Sequence, residues 1–261
     1  MKGVPVLMYH ALEDHSHPAG AIDSGEQLYV LDVTTFKEQM EYLNQNGYKT
    51  LLLRDVVDIG FIPKKSVVIT FDDGHESNYS LALPILLKYG FKAEFFITTG
   101  WVGTKNHLTN IQIKELVSQG MGIGSHGVTH TYLNEMSPEA ILNELKESQM
   151  QLRMITKIKV ISFSAPGGRF SKGLVEIGKK LGFEVFCSSE FGLFDPSQNN
   201  NTVPRYPLKN SASFNEFVKF VECNISYFMI HSLKTSLLFW AKYILGNKRY
   251  DVVRLLLLRY L

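Results

Sequence analysis

The sequence predicts an α/β fold of parallel strands, arranged either as a barrel or as an open sheet. Three observations carry this. Short apolar, often β-branched runs alternate with helical patterns of about ten residues from Val4 to Ser188, which is the signature of βαβ units. The length of 261 residues is large for one domain but ordinary for an α/β barrel. Hydrophobic residues make up 45% and charged residues 20%, so a chain of this length can bury a substantial core without crosslinks.

Taken in order, Val4 to Met8 is the first expected strand, with Pro5 near its start. A polar, glycine-containing stretch from Glu13 to Gln27 reads as a surface loop. Thr34 or Thr35 is the expected cap of a helix reaching about Asn46, with Phe36, Met40 and Leu43 at helical spacing and Gly47 ending it. Tyr48 to Leu53 suits a second strand. Val67 to Phe71 is the clearest strand, bounded by Lys64-Lys65 and by Asp72-Asp73-Gly74. A helix over Leu81 to Tyr89 stops at Gly90, and Lys92 to Ile97 returns as a strand. Ile111 to Gln119 is a helix stopped by Gly120, and Gly122 to Ser125 enters the next strand. Ser137-Pro138 is a strong helix start, with Ser as N-cap and Pro at the first helical position, and that helix runs to about Met154. Val160 to Ser164 and Glu184 to Ser188 are strands, with a helix from Leu174 to Leu181 between them. The Asn199-Asn200-Asn201 tract is a loop. After Pro207 the composition shifts to long apolar and basic helices.

Charge and cysteine usage exclude some functions. A formal net charge of +2, with no cluster of Lys and Arg interleaved with aromatics, gives no case for nucleic acid. Cys187 and Cys223 are too few for a disulfide framework and match no zinc spacing, so both are expected to be buried thiols. No signal peptide is visible, because His10 interrupts the only early apolar run. No stretch reaches the roughly 18 apolar residues of a membrane span. These features set a cytoplasmic location as the default.

Chemistry concentrates at two strand ends. Asp72-Asp73 follows the strongest strand, and catalytic groups of parallel α/β folds collect at the C-terminal ends of strands. Two adjacent carboxylates there need a cation or a proton. His126 and His130 follow a second strand end, in Ser125-His126-Gly127-Val128-Thr129-His130. A spacing of four would set both imidazoles on one side of a helical turn, within reach of one ion. One Asp with two His is a common catalytic zinc set that keeps positions open for water and substrate.

Thr70-Phe71-Asp72-Asp73-Gly74, followed about fifty residues later by Ser125 to His130, resembles the first two motifs of the polysaccharide deacetylases, the NodB-homology or carbohydrate esterase family 4 proteins. The strand Ala93 to Ile97 between them fits as well, and the resemblance covers roughly residues 4 to 190. It implies a distorted (β/α) barrel of about seven strands. It implies a metal held by Asp73, His126 and His130, with Asp72 as general base. Zinc follows from the ligand types, with nickel or cobalt as competitors. The third family motif, Arg-x-Pro-aromatic, corresponds to Ser164-Ala165-Pro166-Gly167, so the Arg and the aromatic residue are replaced. Pro166 and Gly167 would still shape the oxyanion site, and Arg169 or Arg205 are the candidates to replace the Arg. His231, in an apolar stretch, is expected to be structural. His10 fits the catalytic acid of a circularly permuted branch, which resembles the poly-β-1,6-N-acetylglucosamine deacetylases and carries the acidic His on its first strand.

The implied reaction removes N-acetyl groups from an N-acetylglucosamine-containing polysaccharide or oligosaccharide. Among the aromatics near these loops (Tyr9, Tyr79, Trp101 and Tyr132), Trp101 is the preferred sugar-stacking residue because it follows a strand end and Gly100. Two rivals stay open: a hydrolase of a non-carbohydrate amide or ester, and a glycan-binding protein with a degenerate site. The expected division is a barrel over residues 1–210 and a helical extension over 211–261. The extension is apolar, with scattered Lys and Arg, and would pack on the barrel or make peripheral contact with a membrane surface.

Overall fold

In the computed structural model, residues 3–20, 24–59, 62–198 and 202–233 are described. Two compact units divide after Phe217: Lys2–Phe217 contains the sheet, and the second unit begins at Val218. The boundary expected at residue 210 falls inside the first unit, and residues 234–261 of the expected extension lie outside the described residues. No helix among the described residues is long and apolar enough to cross a membrane.

The sheet is parallel throughout. Its strands are β1 (Val6–Tyr9), β4 (Lys49–Thr50), β5 (Ser66–Phe71), β6 (Glu94–Ile97), β7 (Gly122–Ser125), β8 (Ser162–Ser164), β9 (Val185–Cys187), β10 (Thr202–Val203) and β11 (Tyr206–Pro207). The order is β10-β9-β8-β7-β6-β5-β1-β11, with β4 also on β5. The two ends of this order are joined only by Pro204-Arg205. Three residue steps reach at most about 11 Å, so the sheet curls until its edges nearly meet, as the resemblance implied. A separate pair, β2 (Leu12–Glu13) with β3 (Leu31–Asp32), brackets the first loop.

The register divides the side chains between two faces, since direction alternates at every residue. Val6, Val68, Phe96, Val185, Cys187 and Val203 point inward and form one apolar cluster with Leu53 and Val56. Gly122 and Gly124 belong to this inward set and make room for it. A Cβ on Gly124 would lie only 2.4 Å from the Phe96 ring. The outward set includes Tyr9, Phe71 and Phe95, stacked at ring separations of 5.3 and 5.0 Å. Phe36, from helix α2 (Val33–Gln45), meets Tyr9 edge-on at 5.1 Å. Burial on both faces explains why these strands read as continuous apolar runs.

The helices α5 (Asn110–Ser118), α6 (Pro138–Thr156) and α7 (Leu174–Lys180) lie where the sequence put them, and Ser137 caps α6 by accepting the Ala140 amide at 3.2 Å. Four local expectations are corrected. Asp32, not Thr34 or Thr35, caps α2, because its carboxylate accepts the Thr34 amide at 2.7 Å. The strand expected over Tyr48 to Leu53 shortens to β4, because helix α3 (Leu53–Ile59) starts at its end, where Asp55 accepts the Leu52 amide at 3.0 Å. The loop from Glu13 to Gln27 holds a one-turn helix, α1 (Ser24–Gln27). The helix expected from Leu81 starts as a π turn over Asn78–Ala82 before α4 (Leu83–Lys88). Beyond the sheet, α8 (Phe214–Val221) ends before Cys223, whose φ of 54° breaks the expected continuous helix.

One inward residue is costly. Glu94 begins β6 inside the sheet, buried, with Ser162 Oγ donating to Oε1 at 2.5 Å and no hydrogen-bond partner for Oε2. Burial raises its carboxyl above the ordinary value. Its stabilising contribution is therefore complete below the unfolded value of about 4.3 and is lost as pH rises through the folded value. Glu94→Gln is accordingly expected to be more stable than the unaltered chain at pH 8. The gap, read as the urea midpoint, should close below about pH 4; a gap independent of pH would show that Glu94 is ionised in the folded protein.

Candidate active site

The inward register continues one step past the strand ends. The Asp72 amide still donates to the Tyr9 carbonyl and the His126 amide to the Ile97 carbonyl, both at 2.9 Å. By the same alternation, His10 follows Val6 and Met8, Asp72 follows Thr70, His126 follows Gly124 and Pro166 follows Ser164. These residues therefore collect at one mouth of the curled sheet. Asp73 has the opposite parity, but its backbone is left-handed (φ 72°), which turns its carboxylate back toward the same mouth.

Asp73 Oδ1 lies 3.2 Å from His126 Nε2 and 3.2 Å from His130 Nε2, and one ligand atom from each of the three residues lies within 4.8 Å of the others. His126 is buried, and its Nδ1 is 2.8 Å from the Ser164 carbonyl. That contact requires a proton on Nδ1, so in the neutral, metal-binding form of the ring the Nε2 lone pair faces Asp73. Asp73 Oδ1 has no hydrogen-bond partner although it is buried between two imidazole nitrogens. Three convergent lone-pair donors with an orphaned carboxylate oxygen fit a bound cation better than a hydrogen-bonded cluster. Burial would raise the Asp73 carboxyl, but the two imidazoles outweigh it and hold it well below the ordinary range. Burial pulls the His126 imidazole down, and the carboxylates of Asp72 and Asp73 reverse this and raise it.

The His126 to His130 segment is a bend, not the helical turn that the spacing suggested. Gly127 (φ 82°) and His130 (φ 59°) both take left-handed backbone, and this reverses the chain. Glu144 on α6 holds the bend. Its Oε2 accepts the amides of Val128 and Thr129 at 2.7 and 3.1 Å, and its Oε1 accepts the Thr129 hydroxyl at 2.9 Å. Glu144 shares the buried helix face with Ile141, Leu145 and Ser148. An acid on an apolar helix stripe was the readable sign of this role.

Asp72 is held by Arg205. The guanidinium donates Nη1 to Oδ1 at 2.7 Å and Nη2 to Oδ2 at 2.8 Å. It also reaches Thr70 Oγ1, Ser164 Oγ and the Ser188 carbonyl, and it has no exposure to solvent. Ser164 Oγ donates to Asp72 Oδ2 at 3.0 Å. The Arg absent at position 164 is thus replaced in space by Arg205, and the small Ser164 side chain leaves room for it. Arg169 does not take this role: it is exposed, 3.9 Å from Glu135 and stacked on Tyr132. Burial would raise the Asp72 carboxyl, but the charge of Arg205 outweighs it and the net shift is downward. The sign of this role in the sequence was a lone cation between Val203, Pro204, Tyr206 and Pro207.

The remaining site residues surround this pair. His10 is half-buried, packs at a tilt against Tyr29 at 4.5 Å, and leaves Nδ1 buried without a partner. Burial lowers its imidazole, against the opposing pull of Asp73 and Asp72. Pro166 is buried and opens a turn in which Gly167 and Gly168 are left-handed (φ 62° and 67°). The Gly168 amide donates to the Ala165 carbonyl at 2.8 Å. Trp101 packs against His130 and His107, each at 4.9 Å, so it forms a wall beside the triad. His231 belongs to the second unit. Cys187 is buried beneath the site, and burial pushes its thiol up to about 12.

The polysaccharide deacetylase family profile matches residues 62–186. The chain is 31% identical over 223 residues to YxkH of Bacillus subtilis (strain 168), a protein named for the same family, covering 84% of this chain and 76% of that one. It is 28% identical over 211 residues to the poly-beta-1,6-N-acetyl-D-glucosamine N-deacetylase of Staphylococcus aureus (strain MSSA476), covering 73% and 71%. Among solved structures, the Streptococcus pyogenes deacetylase PplD, in complex with acetate, superposes with a TM-score of 0.74 at 25% identity, covering 84% of this chain and 98% of that one. IcaB from Ammonifex degensii shares the fold at a TM-score of 0.71 and 23% identity, covering 85% and 97%. With the fold, the strand-end motifs and these relatives in agreement, the chain belongs to the polysaccharide deacetylase family.

Proposed function

We propose that the protein is a metal-dependent hydrolase that removes N-acetyl groups from an N-acetylglucosamine-containing polysaccharide. The observation that carries the metal is the convergence of Asp73, His126 and His130 on an orphaned carboxylate oxygen. The sugar is supported by the Staphylococcus aureus relatives, which are named for deacetylating a poly-N-acetylglucosamine.

A bound transition metal would polarise the acetyl carbonyl and acidify the attacking water. Asp72 would take that water's proton, and its hydrogen bonds select the atom. Oδ2 already accepts from Arg205 and Ser164, whereas Oδ1 accepts only from Arg205 and keeps a free lone pair. The Gly167 amide would donate to the oxyanion as the acetyl carbon becomes tetrahedral. His10 would protonate the departing sugar amine. Burial disfavours its charged form, which makes the imidazolium a ready proton donor. The hydrogen bond from His126 Nδ1 to Ser164 links the ligand set to the turn that carries Gly167. The bidentate contact of Arg205 with Asp72 replaces what Ser164 lacks and favours a working site over a degenerate one.

Metal analysis of the purified chain is expected to find about one equivalent of zinc, nickel or cobalt, absent from Asp73→Ala with His126→Ala. Acetate release from an N-acetylglucosamine oligomer should disappear with the metal. A chain that stays metal-free after zinc addition, or that releases acetate equally well in the double variant, would sink the proposal.

Arg205→Lys tests the base. It keeps the charge but loses the bidentate geometry, so kcat is expected to fall about 10- to 100-fold. Because the hydrogen bonds from Arg205 add to its charge in holding the Asp72 carboxyl down, and Lys cannot donate to both oxygens, the acid limb of the kcat/KM profile should also move to higher pH. An unmoved limb would separate Asp72 from the proton transfer.

A further inference from the structure

Beyond Tyr9 the first strand leaves the sheet. Its last partner on β5 is Phe71, and the Asp72 amide donates to the Tyr9 carbonyl at 2.9 Å. The His10 carbonyl lies past the end of the ladder and is held by a side chain instead: Asn78 Nδ2 donates to it at 2.7 Å. The Ala11 carbonyl is again held by backbone, the Leu31 amide at 3.0 Å. Asn78 has no exposure to solvent, and its Oδ1 is buried without a hydrogen-bond partner. An amide buried with one of its two groups unpaired is costly, so its presence needs a reason. The helix also bulges to carry it. Asn78 opens the π turn, and the Leu83 amide donates to its carbonyl five residues back. Such turns insert one residue into a helix and occur frequently at functional sites. The residues just before Asn78 clamp the chain that follows His10. Ser77 Oγ accepts the Leu12 amide at 2.9 Å. His75 Nδ1 accepts the Ser77 amide at 3.1 Å, so in the neutral ring Nε2 carries the proton and donates to the Ala19 carbonyl at 2.8 Å.

We infer that Asn78 is a positioning residue that aims the His10 imidazole by holding the His10 carbonyl. The inference rests on the deacetylase reading and adds to it the group that makes the proton donor effective. Peptide planes are rigid, so holding the carbonyl on each side of a residue sets both of its soft dihedrals. Asp72 holds the plane before His10 and Asn78 the plane after it, which directs the Cα–Cβ bond of His10. The run 72–78 therefore carries the proposed base, one proposed ligand in Asp73, and the clamp on the proposed acid. Their spacing is set within one short stretch of chain. Asn78 touches no reacting atom and acts only through His10. Its loss is felt where a proton must be delivered. When the C–N bond of the tetrahedral intermediate breaks, the nitrogen has to take a proton from His10, because an amide anion is too basic to leave. A phenolate leaves with the bonding electrons and needs no proton, so an aryl ester bypasses His10.

The test compares the metal-loaded chain with Asn78→Leu, which keeps the volume without the donor, and with Asn78→Ala. The substrates are an N-acetylglucosamine oligomer and an aryl acetate. In both variants the ratio of kcat for the oligomer to kcat for the ester is expected to fall about tenfold, with KM for the oligomer unchanged. An equal loss on both substrates, an unchanged ratio, or a loss confined to KM overturns the inference and leaves the deacetylase reading intact. So does failure of both variants to bind the metal that the unaltered chain binds, since Asn78 would then serve the fold alone. An unaltered chain that releases no acetate from the oligomer overturns the deacetylase reading. The positioning of His10 is then judged by the magnetic resonance of its Cε1 proton, identified by its absence from His10→Ala and shifted by the Tyr29 ring packed 4.5 Å away. Displacement of that resonance in Asn78→Leu supports the positioning, and an unmoved resonance overturns it.

Discussion

Much of this molecule depends on one ion pair without access to water. Arg205 and Asp72 are both buried, and each would be severely destabilised alone, since breaking such a pair costs about 3–5 kcal/mol. Their geometry is what makes the burial tolerable. Arg205 spends its donors on both oxygens of Asp72, on Thr70, on Ser164 and on the Ser188 carbonyl, which ties β5, β8 and the chain after β9 together across the interior. The same network fixes Asp72 and leaves only Oδ1 able to accept another proton. The stability of the curled sheet and the placement of the carboxylate therefore rest on one set of hydrogen bonds.

The proposed metal ligands depend on a second constraint, which is backbone shape. Alternation along parallel strands brings His126 to the mouth without special devices. Asp73 and His130 reach it only through left-handed residues, where a side chain normally pays a steric cost. Glu144 and the Gly127 turn hold the His130 side, and a Cβ on Gly127 would stand 2.9 Å from Glu144 Oε2. Strain of this kind persists only where the surrounding contacts over-determine it, and it accumulates here at the site.

The sequence showed the parallel fold and the strand-end carboxylates and imidazoles because each rests on a local pattern. Val67 to Phe71 is uninterrupted and β-branched, and Ser137-Pro138 is a complete helix start. It misread features set by distant partners. The bend at His126 to His130 has helical spacing, but its shape comes from Glu144, 14 residues beyond His130 on another element. β10 and β11 are two residues each, too short for periodicity to register. Ser164 looked like a loss because the motif was read along the chain, whereas Arg205 reaches Asp72 across 133 positions of sequence.

The two-residue link between β10 and β11 has a consequence for how the protein is made. Arg205 sits in that link, so the cation that neutralises Asp72 arrives only when the last edge of the sheet comes into place. During synthesis, β5 to β9 emerge first, carrying the proposed metal ligands but also an unpaired carboxylate destined for the interior. Pairing over so long a separation is slow, because the entropy of closing the loop is lost before any contact rewards it. On the proposed reading, the closing step and the activation of the base are one event: a chain whose seam is still open could collect its three candidate ligands, but it would have no oriented carboxylate with which to hydrolyse anything.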